Sequence, residues 1–539
     1  TNIAVLNMAF YPNEKGPYNY DLTPSPVSSG LNSDGSLRDP DSRWGGIMRE
    51  VQTNDFEAAN IRYIKFWLMD PFVEEPTHQG GDLYFNLGNI SEDILIDSRK
   101  SFENGLPTSP IAIDVDTTVW GRVPTKQSLV NAFDNDINSR VYQDVGLDGL
   151  RNNDEATFFQ NYLALLQGIV DGPVYEIMSQ DPSSDDYHYY RGSDYDAAQL
   201  GILDRYKKYN GLEGNSPTAE QSPESYPTSG STLPDVEDIN RDNTLSETES
   251  YYQYQVSLRP QNMEVGQNYV TDRVTSTVTF ANGQQSSVDW YQFKIPLSEF
   301  SRIVGAIEDF KSIRFMRVFM KGFEEPVVLR FAELELVRGE WRPYDFSLLQ
   351  GGERITVPQP EGGFFEISSV NIEENASKQP VNYVLPPGFS REIDPTNPQL
   401  QQLNEQAMVL YVRDLQDGDA RAAFKNVNMD LRKYRRLKIE VHAEALPEES
   451  LADDEMTAFI RLGTDYRNNY YEYEIPLKIT PPGRYNNDVE ADRLVVWPEE
   501  NRFDIELESF IDLKQLRNEE MRRAGSSLKP NDIYTIIQD

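Results

Sequence analysis

The run DINRDNTLSETE, residues 238–249, sets oxygen donors at the spacing of a calcium loop. An EF-hand-type loop reads D-x-[DN]-x-[DN]-G-x5-E, because alternate oxygens must converge on one cation and a closing Glu binds it through both oxygens. Asp238, Asn240 and Asp242 hold the first three ligand positions and Glu249 the twelfth place, with Leu245 as the apolar anchor. Asn243 stands where Gly is usual, and Asn tolerates a left-handed backbone better than other non-glycine residues. The competing reading is a polar turn that launches the strand YYQYQV, since the pattern predicts no helix on either side. A second acidic run, FDNDINSRVYQDVGLDGL (133–150), offers Asp134, Asp136, Asp144 and Asp148 as weaker calcium ligands, with Gly146 and Gly149 permitting tight turns. Its spacing matches no strict template, and solvated loop carboxylates are the alternative. Calcium is the one cofactor these residues suggest.

Other chemistries find little support. Three histidines (His78, His188, His442) and no cysteine leave few nucleophiles or general bases. No nucleophile elbow, dinucleotide fingerprint or phosphate loop is present. Two-carboxylate hydrolysis stays open, because carboxylates are too numerous for pairs to be informative. No enzyme is expected. Trp67, Trp290 and Trp341 are candidate sugar platforms, although aromatics at strand period are more often core. A net charge of −38 repels phosphates, so nucleic acid is not an expected partner. No apolar run reaches the ~18 residues of a membrane helix. The first residues, TNIAVLNMAF, lack a basic n-region and start as if in mid-strand, which suggests a piece of a longer protein.

The elements that must carry these residues are mostly strands. WYQFKIPL (290–297) and YYEYEIPL (470–477) alternate with period two and close on Ile-Pro-Leu. YYQYQVSL (251–258) alternates in step with them. NIRYIKFWLMDP (60–71) resembles YRRLKIEVHAEA (434–445), and GDLYFNLGNISED (81–93) resembles MTAFIRLGTDYRN (456–468). Motifs repeated in one order at near-equal spacing indicate an internal duplication. The expected fold is mainly β: repeated antiparallel β-sandwich, jelly-roll-like modules with an α-helical and loop insert. Module A spans 1–94 plus 246–342, split by an acidic insert at 95–245 with helices near 156–171 and 194–209. Residues 343–400 form a linker with irregular packing, and module B spans 401–539. In DGSLRDPDSRWGGIMRE (34–50) the pattern predicts a structured loop that packs Trp44 onto module A.

Several segments together resemble one family. They are DGSLRDPDSRWGGIMRE, NIRYIKFWLMDPF, GDLYFNLGNISEDIL, SRKSFENGLP, YQDVGLDGL, INRDNTLSETESYYQY and LKIEVHAEALPEESLADDEMTAFIRLGTDYRNNYYEYEIPL. This set is similar to the SprA/Sov family, the giant outer-membrane translocons of the type IX secretion system, also tied to gliding motility in Bacteroidetes-type bacteria. The resemblance implies a protein-export role without catalytic residues. It implies as partners a lateral-gate barrel protein, a periplasmic plug and secreted cargo. The chain lacks the long series of lipid-facing strands that a barrel requires. It therefore reads as a soluble, outer-membrane-associated domain on the extracellular or periplasmic side, shaping the pore vestibule. A carbohydrate-binding cell-surface module is the alternative.

Overall fold

The computed structural model describes the chain except residues 1–3, 96–101, 103–113, 126–135, 141, 144–145, 212–236, 280–282, 340, 345, 347, 349–363, 374, 377, 392–404, 428, 447–448, 467–468, 530–531 and 537–539. The protein is mainly β and divides into two units, Thr1–Arg338 and Gly339–Asp539.

The first unit contains β1 (Val5–Phe10), β2 (Trp44–Glu50), β3 (Ile61–Met69), β4 (Gly81–Asn89), β5 (Val115–Thr117), β6 (Arg122–Pro124), β7 (Ser250–Leu258), β8 (Val270–Thr279), β9 (Gln285–Pro296), β10 (Arg302–Val304), β11 (Phe315–Lys321) and β12 (Val327–Arg338). Ten of these form two five-stranded sheets, in the orders β1-β12-β3-β9-β8 and β10-β7-β4-β11-β2. Every pairing within them is antiparallel. Alternation sends one face of each strand inward. Ile64, Phe66 and Leu68 of β3 and Leu83, Phe85 and Leu87 of β4 are 0% exposed and belong to one core. The Phe66 ring lies 5.4 Å from Phe85 on the facing sheet and stacks at 4.9 Å on Phe293 of β9.

Trp44 corrects its expectation. Residues 44–50 form the edge strand β2 rather than a loop, and Trp44 is 65% exposed. Gly46 is required there: a Cβ would sit 2.3 Å from the Val318 carbonyl oxygen.

Among the described residues the unit also holds the pair β5-β6 and short helices: α1 (Phe56–Ala59), α2 (Ile137–Arg140), α3 (Asn152–Phe158), α4 (Gln160–Leu166), α5 (Gly172–Met178), α6 (Ser193–Ala197) and α7 (Ile202–Lys207). The periodic stretch 156–171 is divided at Phe159, whose ψ of 19° interrupts the helical run. Gly172-Pro173 begins α5, because a proline in the first turn lacks only an N–H that has no helical partner. Leu22, Leu31 and Leu37 from the N-terminal segment share a second core with Leu150, Phe159, Leu163 and Leu166.

The second unit holds β13 (Arg342–Pro343), β14 (Phe364–Asn371), β15 (Gln406–Arg413), β16 (Ala423–Phe424), β17 (Arg436–Ile439), β18 (Thr457–Gly463), β19 (Tyr470–Pro476), β20 (Phe503–Glu506), α8 (Glu490–Val496) and α9 (Glu508–Arg522). Its strands pair as β13-β16, β14-β15, β17-β20 and β18-β19. Val381, Val384 and Leu385, in the stretch read as linker, are buried with Val496 and Trp497, and the Trp497 indole donates to the Val384 carbonyl at 2.9 Å.

The two units share a register. In the first, Gly88 faces Tyr251 and Phe85 faces Tyr254. In the second, Gly463 faces Tyr470 and Ile460 faces Tyr473. Likewise Ile64 faces Ile295 and Phe66 faces Phe293, while Leu437 faces Ile505 and Ile439 faces Phe503. The Leu297 amide donates to the Arg62 carbonyl at 2.8 Å, and the Leu507 amide to that of Arg435 at 3.0 Å. The inward residues of both sets converge on one core within each unit. The pairing corrects one equivalence. YYEYEIPL occupies the place of YYQYQVSL, and WYQFKIPL matches NRFDIEL (501–507), so the two Ile-Pro-Leu octets hold different positions.

Candidate functional site

The loop at 238–249 is organised by its own backbone and by arginines. Asp238 accepts the Asp242 amide at 3.0 Å and the Asn243 amide at 3.2 Å. Asn240 donates to Asp242 at 2.8 Å, and Asp242 also accepts the Thr244 amide at 2.9 Å. The second Asp242 oxygen meets Arg314 at 3.1 Å. Glu249 meets Arg317 at 3.2 Å and accepts the Ser91 amide at 3.2 Å. Asn243 adopts the left-handed conformation that its place in the motif requires, with φ at 61°. Glu92, which the motif does not include, anchors the loop: its carboxylate accepts the amides of Ile239 at 2.9 Å and Ser246 at 3.3 Å. Burial raises the Glu92 carboxyl above its ordinary range, against the pull of those hydrogen bonds. Turn closure and arginine pairing thus employ the four oxygen-bearing residues, Asp238, Asn240, Asp242 and Glu249.

Of the second set, Asp134 and Asp144 lie outside the described residues. Asp136 is exposed and accepts the Asn138 amide at 3.0 Å, closing the turn that opens α2. Asp148 belongs to a different environment. It is 3% exposed, and its carboxylate accepts the Leu150 amide at 2.8 Å. Glu155 at 1% and Asp185 at 2% exposure stand beside it. One carboxylate oxygen from each of the three lies within 4.8 Å of the others, and Asp181, Asp185 and Asp186 make a second such group.

Two turns and a helix build this cluster. The 146–150 turn directs the Leu147 and Asp148 amides at Asp185, at 2.7 and 3.2 Å. Gly146 leaves room for that carboxylate, since a Cβ would fall 2.4 Å from an Asp185 oxygen. Gly149 takes a left-handed φ of 67°, and a Cβ there would lie 2.5 Å from the Arg122 carbonyl. The first turn of α3 carries Glu155. Ser183 lies 2.6 Å from Glu155 and 2.5 Å from Asp185. A serine hydroxyl has one hydrogen, so it satisfies one of these oxygens at a time.

The electrostatics are strained. Burial first, then Asp185, pushes the Glu155 carboxyl up to about 8. Burial likewise raises Asp185, and burial with Asp181 and Asp185 brings Asp186 up to about 6. Lys15 is the nearby cation, and burial drives its ammonium down to about 8 against the attraction of Asp181, Asp185 and Glu155. It donates to the Pro182 carbonyl at 2.8 Å and the Ser184 hydroxyl at 3.1 Å. Tyr20 and Tyr162 close the wall, both raised by burial, Tyr162 to about 12.

Asp148 was legible as a candidate; Glu155, Asp185 and Lys15 were not. The interval from Asp148-Gly149 to Glu155 does repeat the fifth, sixth and twelfth places of an EF-hand-type loop, a signal that could have found Glu155. No local pattern joins Asp185 to them. Of the candidate sugar platforms, Trp67 and Trp290 are half-buried on β3 and β9, beside the inward positions.

Among the described residues no helix is long and apolar enough to cross a membrane. No curated protein matches the chain. A model of the SprA_N family, described as motility related/secretion protein, matches residues 161–535, which run from α4 through β7–β12 of the first unit and all the strands of the second. That span exceeds half of the 539 residues, and the chain belongs to the SprA_N family of motility-related and secretion proteins.

Proposed function

We propose that the chain is a non-catalytic, outer-membrane-associated region of a type IX secretion translocon. It shapes the vestibule of the pore and contacts the partner and cargo proteins of export. The observation that carries this reading is the family match over residues 161–535. The net charge of −38 fits a surface that stays soluble and repels anionic polymers.

The strand edges suggest how a partner docks. In the first unit β3 is flanked by β12 and β9, and β4 by β7 and β11. Their counterparts β17 and β18 pair, among the described residues, with β20 and β19 alone. The occupant we assign to these edges is an extended segment of a partner polypeptide, alternating as β11 and β12 do, which adds main-chain hydrogen bonds to an exposed edge.

A photo-crosslinking side chain at Lys438 or Thr457, in the full secretion apparatus, is expected to capture a partner protein. Capture no greater than from exposed Val119 overturns the docking mode. Deleting 95–245 and following cargo export tests the wider reading: export is expected to fall, and unchanged export removes any role for the insert.

A further inference from the structure

The cluster around Glu155 has an unmet requirement. Three carboxylates, each at most 3% exposed, each bring one oxygen within 4.8 Å of the others. Like charges at this distance in a poorly solvated site repel strongly, and buried carboxylates are retained when paired, hydrogen-bonded or coordinated to metal. Ser183 supplies a single hydrogen between two of them. A second observation is independent of the clustering: Glu155 Oε1 is fully buried and, among the described residues, has no hydrogen-bond partner, while Oε2 is held by Ser183. The side chain that carries this oxygen belongs to the cluster whose other members are Asp148 and Asp185.

The local chain has the form of a cation loop. Asp148, Gly149 and Glu155 stand at the intervals of the fifth, sixth and twelfth places of an EF-hand-type loop. Gly149 has the left-handed φ needed for the sharp turn at the sixth place, and Glu155 lies on the helix that follows. Asp185 reaches the same point from a separate turn.

We propose that Asp148, Glu155 and Asp185 bind one calcium ion, which ties the 146–155 loop and α3 to the 183–186 turn. Oxygen-only ligands select a hard cation over zinc or copper. An irregular arrangement drawn from two loops suits calcium, which accepts six to eight oxygens in flexible geometry, better than magnesium, which demands a near-ideal octahedron. The bound ion is structural. It fastens the helical layer whose core includes Leu150, Phe159 and Leu163.

The test is calorimetric titration of calcium chloride into the chelator-treated full chain, with melting curves alongside. One calcium per chain is expected, with a Kd between ~10⁻⁷ and ~10⁻³ M. The melting temperature should rise with calcium concentration, because a ligand bound only to the folded state stabilises it. Glu155→Gln and Asp185→Asn should weaken binding by more than the ~10–100-fold typical of losing an outer-shell partner. Asp242→Asn and Glu249→Gln should leave it unchanged. No heat and no shift at millimolar calcium overturns the proposal. So does binding that survives Glu155→Gln and vanishes with Asp242→Asn, and an equal response to magnesium overturns the choice of calcium. Should Glu155→Gln fail to fold, terbium emission excited through the tyrosines of the unaltered protein gives the answer. Emission that calcium competes away supports the site, and its absence refutes it.

Discussion

Truncating Phe66 tests whether the two sheets of the first unit share one core. The ring is 0% exposed and touches both sheets, at 5.4 Å from Phe85 and 5.4 Å from Phe331. A buried phenylalanine removes ~150–250 Å² from water, worth ~4–6 kcal/mol at ~25 cal/mol per Å². The unfolded chain already hides part of that area, so the figure is an upper bound. Phe→Ala substitutions in cores cost ~3–5 kcal/mol, including the cavity left behind. Phe66→Ala should therefore destabilise the first unit by about 3–5 kcal/mol. Urea unfolding, followed by hydrogen exchange in peptides from β3, β4 and β9, measures it. The double variant with Phe85→Ala should be non-additive by ~0.5–1.5 kcal/mol, because the rings face one another across the sheets. A loss below ~1 kcal/mol, the level of an ordinary substitution, together with strict additivity, would refute the common core.

Two further expectations concern the repeated register and acid stability. A Cβ on Gly88 would lie 2.3 Å from the Ser250 carbonyl oxygen, and one on Gly463 would lie 2.1 Å from that of Asn469. Gly88→Ala and Gly463→Ala should each cost ~1–3 kcal/mol and loosen the strand pair they end, seen as faster exchange of β7 or β19. If one is tolerated and the other is not, the two sites are not equivalent. In the second unit, burial would raise the Glu444 carboxyl, but hydrogen bonds from His442 and Lys378 and their charges leave it below its ordinary 4.5. A lowered folded-state value means stability present above the ordinary carboxylate range and lost as pH falls through the folded value. Acid should therefore weaken the second unit in unaltered protein more than in Glu444→Gln, and parallel acid-unfolding curves would contradict this.

The strands were readable because period-two alternation is local: Phe66, Phe85, Tyr254 and Phe293 each occupy an inward place that the neighbouring residues specify. The partners of those strands were less readable. Matching the Ile-Pro-Leu octets gave weight to the proline-terminated ending they share. Pairing is instead decided by what lies across the ladder, where Gly88 and Gly463 each admit the backbone of a tyrosine strand. The loop at 238–249 shows the same limit. Its spacing is that of a cation loop, but the partners that hold it, Arg314, Arg317 and Glu92, come from distant strands and loops that the spacing does not record. Residues 381–385 show it again: a proline-rich stretch gives no periodic signal, yet Trp497 and Val496 bury it.

From its sequence alone this protein is a cysteine-free, strongly acidic, mainly β chain with repeated strand motifs and a family resemblance carried by long ordered runs. Those properties follow from composition and from contacts between near neighbours, which every window of the chain records. The tertiary structure alone decided which repeats correspond, and which carboxylates meet. Asp148, Glu155 and Asp185 are gathered by two turns and a helix packed over the N-terminal segment, and repulsion among buried charges depends on distance through space.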